Sequence, residues 1–421
     1  MPFRATPESG RARRVSFHCS VSALPVGTCY PRDSRAAVGA SGRRYLCAFM
    51  LPLIIALWPG DVLAHDPSAW GGLFRTRDAG VTWLHVNPGS FVSGALALAV
   101  SPMNPNHLLL ATDSGVSRSR NGGRDWEIEG PGVLIGPAFA AAFDVDGERA
   151  LVSGASALFR NDGDRWRPIQ TPTRAAPARA LVSGFVRGRV YLVGRTGLFR
   201  SDDWGRTWLG VGDELQAEHV SMLILPPDRP DEVYAVAGGR LWASTDGARS
   251  WRRLDGGLPA GGVEVVALDP SDSRRLLAVA AGQAFRSDDQ GRRWRPVGVP
   301  IPERPVVARA VVVSGRVILI ATDRGVYRSP DEGDRWELPS ESLPAHLVAG
   351  LLVRDPVSPA TLYAGFALLP SEELRQRSAE GGRAFARLDG ASLAGGVAFV
   401  ALFGLAAGAV LRHLARTNYR G

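Results

Sequence analysis

Short apolar runs, separated by turns rich in proline, glycine and aspartate, recur along most of the chain. The run Ala95–Val100 is followed by the turn Ser101–Pro105 and by a second run, His107–Ala111. The same order returns within Val265–Val279. Runs of this length bounded by turn residues predict β-strands. Each such segment therefore predicts two neighbouring strands.

A third strand and a tight turn are predicted after each strand pair. A phrase of small, hydrophobic and aromatic residues followed by Arg and Ser or Thr occurs at Gly72–Thr76, Gly197–Ser201 and Gly325–Ser329, and it alternates as a strand does. In the turn that follows, an Asp or Asn side chain accepts backbone N–H bonds and a glycine supplies positive φ. We call these segments the box turns and expect their side chains to hold the turn and do no chemistry. Their Asp or Asn residues are Asp78, Asn121, Asn161, Asp203, Asp246, Asp289 and Asp331.

A tryptophan lies five residues after each of these side chains. Successive tryptophans are 40 to 43 residues apart, which is the length of a four-stranded propeller blade. The third unit is one residue short before Asn161, and the fifth has Ala248 in place of glycine. We expect each indole to pack between neighbouring sheets. The tryptophans are Trp83, Trp126, Trp166, Trp208, Trp251, Trp294 and Trp336.

The two ends of the array predict a closed ring. The first box strand arrives without a preceding strand pair, while an unaccompanied pair, Val348–Val353 and Thr361–Ala364, follows the last tryptophan. Joining them completes one blade from both ends of the chain and leaves no open sheet edge. The sequence thus predicts an all-β, seven-bladed β-propeller over residues 65–368.

The fullest copy of the turn, Ser201–Trp208 (SDDWGRTW), resembles the Asp-box or BNR repeat. Dense, regular repeats of this kind are similar to the photosystem II assembly-factor type of propeller and to related bacterial BNR-repeat proteins. That resemblance implies a ring that binds proteins during the assembly of a membrane complex. Sialidases and other glycosidases carry the same repeat, so a carbohydrate-active hydrolase is the alternative function.

Strand order sends the box turns to one face of the ring and the turns before the box strands to the other. A hydrolase would need two carboxylates on that opposite face, and the candidates are Asp113, Asp323, Glu218 and Glu264. No unit has the long insertion that usually builds a substrate cleft, and the Arg-Ile-Pro motif of sialidases is absent from the sequence. A non-enzymatic binding protein is therefore favoured, with a protein or glycan as ligand. The candidate residues of the binding face are Asp113, Arg195, Arg240, Gln283 and Asp323.

Composition excludes several other classes. All three cysteines, Cys19, Cys29 and Cys47, precede the predicted mature chain, so neither a disulfide nor a thiol nucleophile is expected there. The seven histidines have no metal-ligand spacing, and we expect no metal and no cofactor. The net charge of +8 comes from the two ends of the chain, because residues 65–411 hold 38 Arg and 38 acidic residues. Nucleic acid is therefore not an expected partner.

Two segments outside the ring are typical of export and membrane anchoring. Arg43 and Arg44, the apolar run Tyr45–Trp58 and the Val-x-Ala cleavage site at residues 62–64 are typical of a signal peptide. Residues 1–64 are therefore predicted to be an N-terminal extension and signal peptide, with cleavage after Ala64. Ala391–Leu411 carries no charge over 21 residues, which is enough to span a bilayer.

The flanks of this span set the predicted topology. Residues 369–390 form a stalk, and the basic tail 412–421 lies in the cytoplasm by the positive-inside rule. The propeller then lies on the periplasmic side of a bacterial inner membrane. Gly404 and Gly408 have the spacing that packs two such spans together, which raises the hypothesis of a weak homodimer.

Overall fold

In the computed structural model, the described residues are 72–86, 94–163, 165–173, 175–215, 219–254, 256–303, 305–339, 341–344, 347–366, 373, 375 and 376. They form seven antiparallel sheets. The innermost strand of each sheet contacts the innermost strands of the two neighbouring sheets, so the seven sheets form a closed ring. The predicted seven-bladed β-propeller is confirmed.

The strands follow one another with short connections. They are β1 Gly72–Thr76, β2 Leu84–His85, β3 Ala95–Val100, β4 Leu108–Thr112, β5 Gly115–Ser119, β6 Glu127–Ile128, β7 Ala138–Phe143, β8 Ala150–Gly154, β9 Leu158–Asn161, β10 Trp166–Ile169, β11 Ala180–Ser183, β12 Val190–Val193, β13 Leu198–Ser201, β14 Leu209–Val211, β15 Val220–Ile224, β16 Val233–Ala237, β17 Arg240–Ser244, β18 Arg252–Arg253, β19 Val265–Asp269, β20 Asp272–Ala280, β21 Gln283–Ser287, β22 Arg295–Pro296, β23 Ala308–Ser314, β24 Val317–Thr322, β25 Gly325–Ser329, β26 Ala349–Arg354 and β27 Leu362–Phe366. A single turn of 3-10 helix covers Asp213–Leu215.

Blades are numbered by the box turn that each contains. Blade one joins β1 and β2 to β26 and β27, blades two to six take β3–β6, β7–β10, β11–β14, β15–β18 and β19–β22, and blade seven takes β23–β25. The innermost strand borders the central channel; it is β26 in blade one and the first strand in chain order in each other blade. The predicted closure is confirmed, because β1 pairs with β27 in antiparallel register from Gly72 opposite Phe366 to Thr76 opposite Leu362.

Blade seven departs from the expected four strands. After its box turn, the described residues make one bridge, Arg328 with Glu337, instead of a fourth strand. Pro339 follows two residues later. Because proline has no N–H to donate to a ladder, it ends the pairing there.

The hydrophobic core lies between the blades. Trp83 packs with Val312 and Leu319 of blade seven, and Trp251 packs with Tyr191 of blade four. Burial of such a ring stabilises a fold by about 3–5 kcal/mol relative to alanine. The indoles of the repeat therefore connect neighbouring sheets, as the spacing predicts.

No helix among the described residues has both the length and the apolar surface that crossing a membrane requires. The predicted leader 1–64, the span Ala391–Leu411 with Gly404 and Gly408, and the tail 412–421 lie outside the described residues. Of the predicted stalk, only residues 373, 375 and 376 are described.

Candidate functional site

The box turns are built from side-chain to backbone hydrogen bonds. In blade five, Oδ1 of Asp246 accepts the N–H groups of Arg249 and Ser250, both at 3.0 Å. The Ser244 hydroxyl oxygen accepts the N–H of Ala248 at 2.9 Å. Ala248 adopts a φ of 72°, which glycine supplies elsewhere. The turn therefore keeps its hydrogen bonds although its glycine is missing.

Five other box turns repeat the main contact. The Oδ1 atom of each Asp or Asn accepts the N–H of the residue four positions later, and the residues concerned are Asp78, Asn121, Asp203, Asp289 and Asp331. The turn of blade three differs: Asn161 occupies the place of the usual serine and accepts the N–H of Gly163 at 2.7 Å. From this position to the tryptophan the turn is two residues shorter than in the other blades, which accounts for the change.

These contacts hold the box carboxylates in the ionised form. Burial acts to raise the pKa of Asp78, but hydrogen bonds from Thr76, Thr82 and Val81 outweigh it and hold the pKa at about 2. The bond and charge of Arg293 hold the pKa of Asp289 at about 2 in the same way. A general acid needs a raised pKa near the working pH, so the box turns offer none.

A role that the sequence analysis missed belongs to the arginine of the box strand. Arg200 donates from Nη1 to the carbonyl oxygen of Gly247, in the box turn of the next blade, at 3.0 Å. Arg75 makes the same contact with the Gly122 carbonyl. The signal was present in the sequence, because an arginine recurs at this register in six units. These residues are Arg75, Arg118, Arg160, Arg200, Arg286 and Arg328, with Ala243 in the fifth unit.

On the opposite face, the candidate carboxylates bind backbone N–H groups at the starts of the inner strands. Asp113 accepts the N–H of Gly94 at 3.0 Å, and Asp323 accepts that of Val307 at 2.9 Å. Glu264 accepts the N–H of Ala281 at 2.9 Å in its own blade and that of Ala308 in the next.

The ring brings two of these carboxylates onto adjoining blades, because Glu264 of blade six and Asp323 of blade seven accept the N–H groups of consecutive residues, Ala308 and Val307. Asp113 is in blade two, Asp323 is in blade seven, and blade one separates them. Glu264 belongs to blade six. Glu218 lies outside the described residues.

Of the other residues predicted for this face, two are exposed to solvent and one is hydrogen-bonded within its own blade. Arg195 and Arg240 are exposed. Gln283 donates from Nε2 to the carbonyl oxygens of Ala284 at 3.1 Å and Val297 at 2.9 Å, so its amide joins two strands of blade six. Gln283 is thus partly committed to the fold.

The mouth of the central channel on this face forms a cavity of about 340 Å³. We call it the channel mouth, and it is lined at the starts of the inner strands by Arg179, Glu264 and Arg309 together with Arg375. Arg375, which follows the ring in sequence, donates from Nη2 to the Arg179 carbonyl at 3.4 Å, and its guanidinium lies 5.5 Å from the Phe139 ring centroid. None of these three arginines was predicted, because the sequence does not reveal which strand starts converge.

The fold and these sites define the class as an all-β, seven-bladed propeller. No family model matches the chain. It is 27% identical, over an alignment of 199 residues, to an oligoxyloglucan-reducing end-specific xyloglucanase of Emericella nidulans, covering 42% of this chain and 24% of that relative.

Two solved structures share the fold. One is YCF48 bound to a D1 peptide, with a TM-score of 0.52 and 16% identity over 65% of this chain and 91% of that one. The other is the GH74 enzyme of Niastella koreensis, with a TM-score of 0.54 and 15% identity over 68% of this chain and 52% of that one. At these identities the likeness extends to the fold alone. The chain spans about half of the GH74 structure and a quarter of the curated xyloglucanase.

Proposed function

We propose that the protein is a non-enzymatic binding protein of the Asp-box type that holds a segment of a partner protein at the channel mouth. The observation that carries the proposal is the chemistry of that mouth. Arg179, Arg309 and Arg375 contribute three positive charges, and the carboxylate of Glu264 is bound to two backbone N–H groups. Such a site suits an acidic side chain or a terminal carboxylate.

Coverage supports a ring that acts by itself. This chain accounts for 91% of the YCF48 structure, whose bound ligand is a D1 peptide. About half of the GH74 structure lies outside the region that aligns with this chain. The shared fold with a peptide-bound propeller supports binding of a protein segment by the ring, and assembly of a membrane complex is the role we infer for it.

The proposal includes the location of the ring. We infer that residues 1–64 direct export, that Ala391–Leu411 anchors the chain in the inner membrane, and that the propeller faces the periplasm. Since the three native cysteines precede Ala64, single cysteines at Gly261 and Thr417 can report each side. A membrane-impermeant maleimide is expected to label G261C in cells with a permeabilised outer membrane and to label T417C only after lysis. The reverse pattern would exclude this topology.

Binding at the channel mouth is tested with a photoreactive phenylalanine analogue in the full-length protein. Val307 lines the mouth and is 48% exposed, whereas Leu84 lies on the outermost strand of blade one and is 66% exposed. We expect crosslinks to one or a few membrane proteins from position 307, their loss on Arg309→Glu, and none of them from position 84. Equal crosslinking from both positions would contradict the proposal.

The sequence match to a xyloglucanase favours hydrolysis of a β-glucan as the second candidate. It predicts release of reducing ends from xyloglucan oligosaccharides. Turnover that disappears in Asp113→Asn or Asp323→Asn, with the thermal stability of the variants retained, would replace the binding function with this one.

A further inference from the structure

A second cavity lies on the face of the box turns, in the cleft between blades six and seven. It has a volume of about 260 Å³. Buried Leu277, Val297 and Ile318 form its apolar wall. Arg275, Arg286 and Arg316 line its polar side with Asp269 and Glu332. We call it the blade six–seven cleft.

The cleft between blades three and four is built from equivalent parts. Leu151 pairs with Arg160 there as Leu277 pairs with Arg286 here. The residue that follows the box Asp is Trp204 in blade four and Glu332 in blade seven. Both have a left-handed backbone, with φ of 57° and 63°, and both donate their N–H to a carbonyl of the turn between the first two strands of their own blade. The two clefts therefore differ mainly in one side chain.

In blade four that side chain fills the cleft. The indole of Trp204 is fully buried against Leu151, and the Arg149 guanidinium lies 5.8 Å from its ring centroid. Arg149 and Arg275 hold the same position, because each directly precedes the residue that pairs with the last residue of the box strand, Ala150 with Asn161 and Leu276 with Ser287. In blade seven, the Glu332 carboxylate instead accepts Nη1 of Arg286 at 3.1 Å, at the side of the cavity.

Three further clefts receive an aromatic ring from the second strand. Tyr191, Tyr234 and Tyr363 occupy the register of Leu277 and pack against the following blade. Blade six has leucine at this register, and blade seven has Glu332 at the register of Trp204. Four of the seven clefts thus hold one of these rings, and the blade six–seven cleft holds neither. The clefts between blades two and three and between blades seven and one also carry leucine at this register, Leu109 and Leu319.

We propose that the blade six–seven cleft binds a small aromatic anion, with one or two fused rings and a short acidic arm. The ring would take the place that Trp204 takes in its own cleft, with its face beneath Arg275 as Trp204 lies beneath Arg149. Arg275 is ion-paired with Asp272 and Asp288, and Arg286 with Asp288 and Glu332. Arg316 has no ion pair among the described residues, so its guanidinium favours an acidic substituent on the ligand. Pockets for drug-sized ligands have volumes of roughly 300–1,000 Å³, so this cavity suits a compact ligand and not a peptide of several residues.

The test uses the full-length protein in detergent, with indole-3-acetate as the probe and 3-methylindole as its uncharged counterpart. Binding is measured by saturation-transfer NMR and by calorimetric titration. Leu277→Tyr introduces the residue that three sister blades carry, and Glu332→Trp introduces the ring of blade four. We expect each variant to keep a cooperative unfolding transition and to lower the affinity for indole-3-acetate at least about tenfold, the equivalent of 1.4 kcal/mol.

The charge requirement is tested separately. Arg316→Gln is expected to weaken indole-3-acetate and to leave 3-methylindole unchanged. Equal affinity of the wild-type protein for both probes would overturn the assignment of an anion. No binding by the wild-type protein, or undiminished binding by both filled variants, would overturn the site itself. The channel mouth is on the other face of the ring, so these outcomes do not depend on the proposed function.

Discussion

Arg328 and Ala79 are 249 positions apart in sequence, and Nε of the arginine donates to the carbonyl oxygen of the alanine at 3.0 Å. The bond joins blade seven to blade one, next to the strand pairing that closes the ring. Ala79 has a φ of 54°, so the turn presents its carbonyl through a left-handed residue. Arg200 and Gly247 repeat the relationship between blades four and five. A neighbouring blade thus stabilises each of these box turns as well as its own Asp.

Loss of this contact is expected to weaken ring closure. Arg328→Met keeps an unbranched apolar stem but leaves the carbonyl of Ala79 without its charged donor, which costs about 1–3 kcal/mol. Chemical denaturation followed by tryptophan fluorescence measures the change. Arg120→Met is the control, because Arg120 is 67% exposed and pairs with Glu127 on the surface, where a pair contributes about 0–1 kcal/mol. Equal losses of stability in the two variants would show that the bond from Arg328 to the Ala79 carbonyl stabilises the fold no more than a surface ion pair does.

Acid is expected to destabilise the ring through the box turns. The pKa of Asp78 in the folded protein is about 2, below its value of about 3.9 in an unfolded chain. Because the folded-state pKa is the lower one, this stabilisation is complete above about pH 4 and is lost as the pH falls toward 2. Asp78→Asn, the residue that blade two uses at Asn121, removes this dependence.

The measurement is the midpoint of thermal unfolding between pH 5 and pH 2. The variant is expected to be the less stable of the two at pH 5, to lose less stability over this interval, and to approach the wild-type protein at pH 2. A parallel decline of both curves would mean that the ionised form of Asp78 is not favoured in the folded state.

The fold was predictable because the repeat records it many times. Seven indoles at one spacing and one orphan strand pair are sufficient to specify blade number and closure. Blade seven shows the limit of this reasoning, since Pro339 ends the fourth strand although the unit has the usual length. A repeat pattern describes the average blade, and single residues decide the exceptions.

The sites were less predictable because they depend on distances between blades. Asp113 and Asp323 look alike in sequence, and both bind an inner-strand N–H, but a whole blade separates them. Arg179, Arg309 and Arg375 have no shared motif and meet only because the inner strands converge on the channel. The blade six–seven cleft is open because neither Leu277 nor Glu332 supplies an aromatic ring. The absence of an aromatic residue at two positions is not a motif that the sequence displays.

Glu264 is expected to contribute to stability by joining two blades. Its carboxylate accepts N–H groups from Ala281 in blade six and Ala308 in blade seven. Glu264→Met leaves both donors without this acceptor and is expected to cost about 1–3 kcal/mol per group that stays buried and unsatisfied. Glu264→Gln retains one acceptor oxygen and is expected to lose roughly half as much. Differential scanning calorimetry checks the order, and a wild-type midpoint for Glu264→Met would contradict it.

Trp204→Gly is expected to open a cavity in the cleft between blades three and four, equivalent to the cavity of the blade six–seven cleft. Glycine accepts the φ of 57°, so the loss of about 3–5 kcal/mol reflects the missing indole and not backbone strain. Added indole should then raise the unfolding temperature of the variant, because a ligand that binds only the folded state stabilises it by mass action. Leu192→Ala, in the same buried cluster, is the control: it lowers stability without creating a ring-shaped space, so indole should not restore it. Restoration of both variants, or of neither, would show that Trp204 does not define an aromatic site.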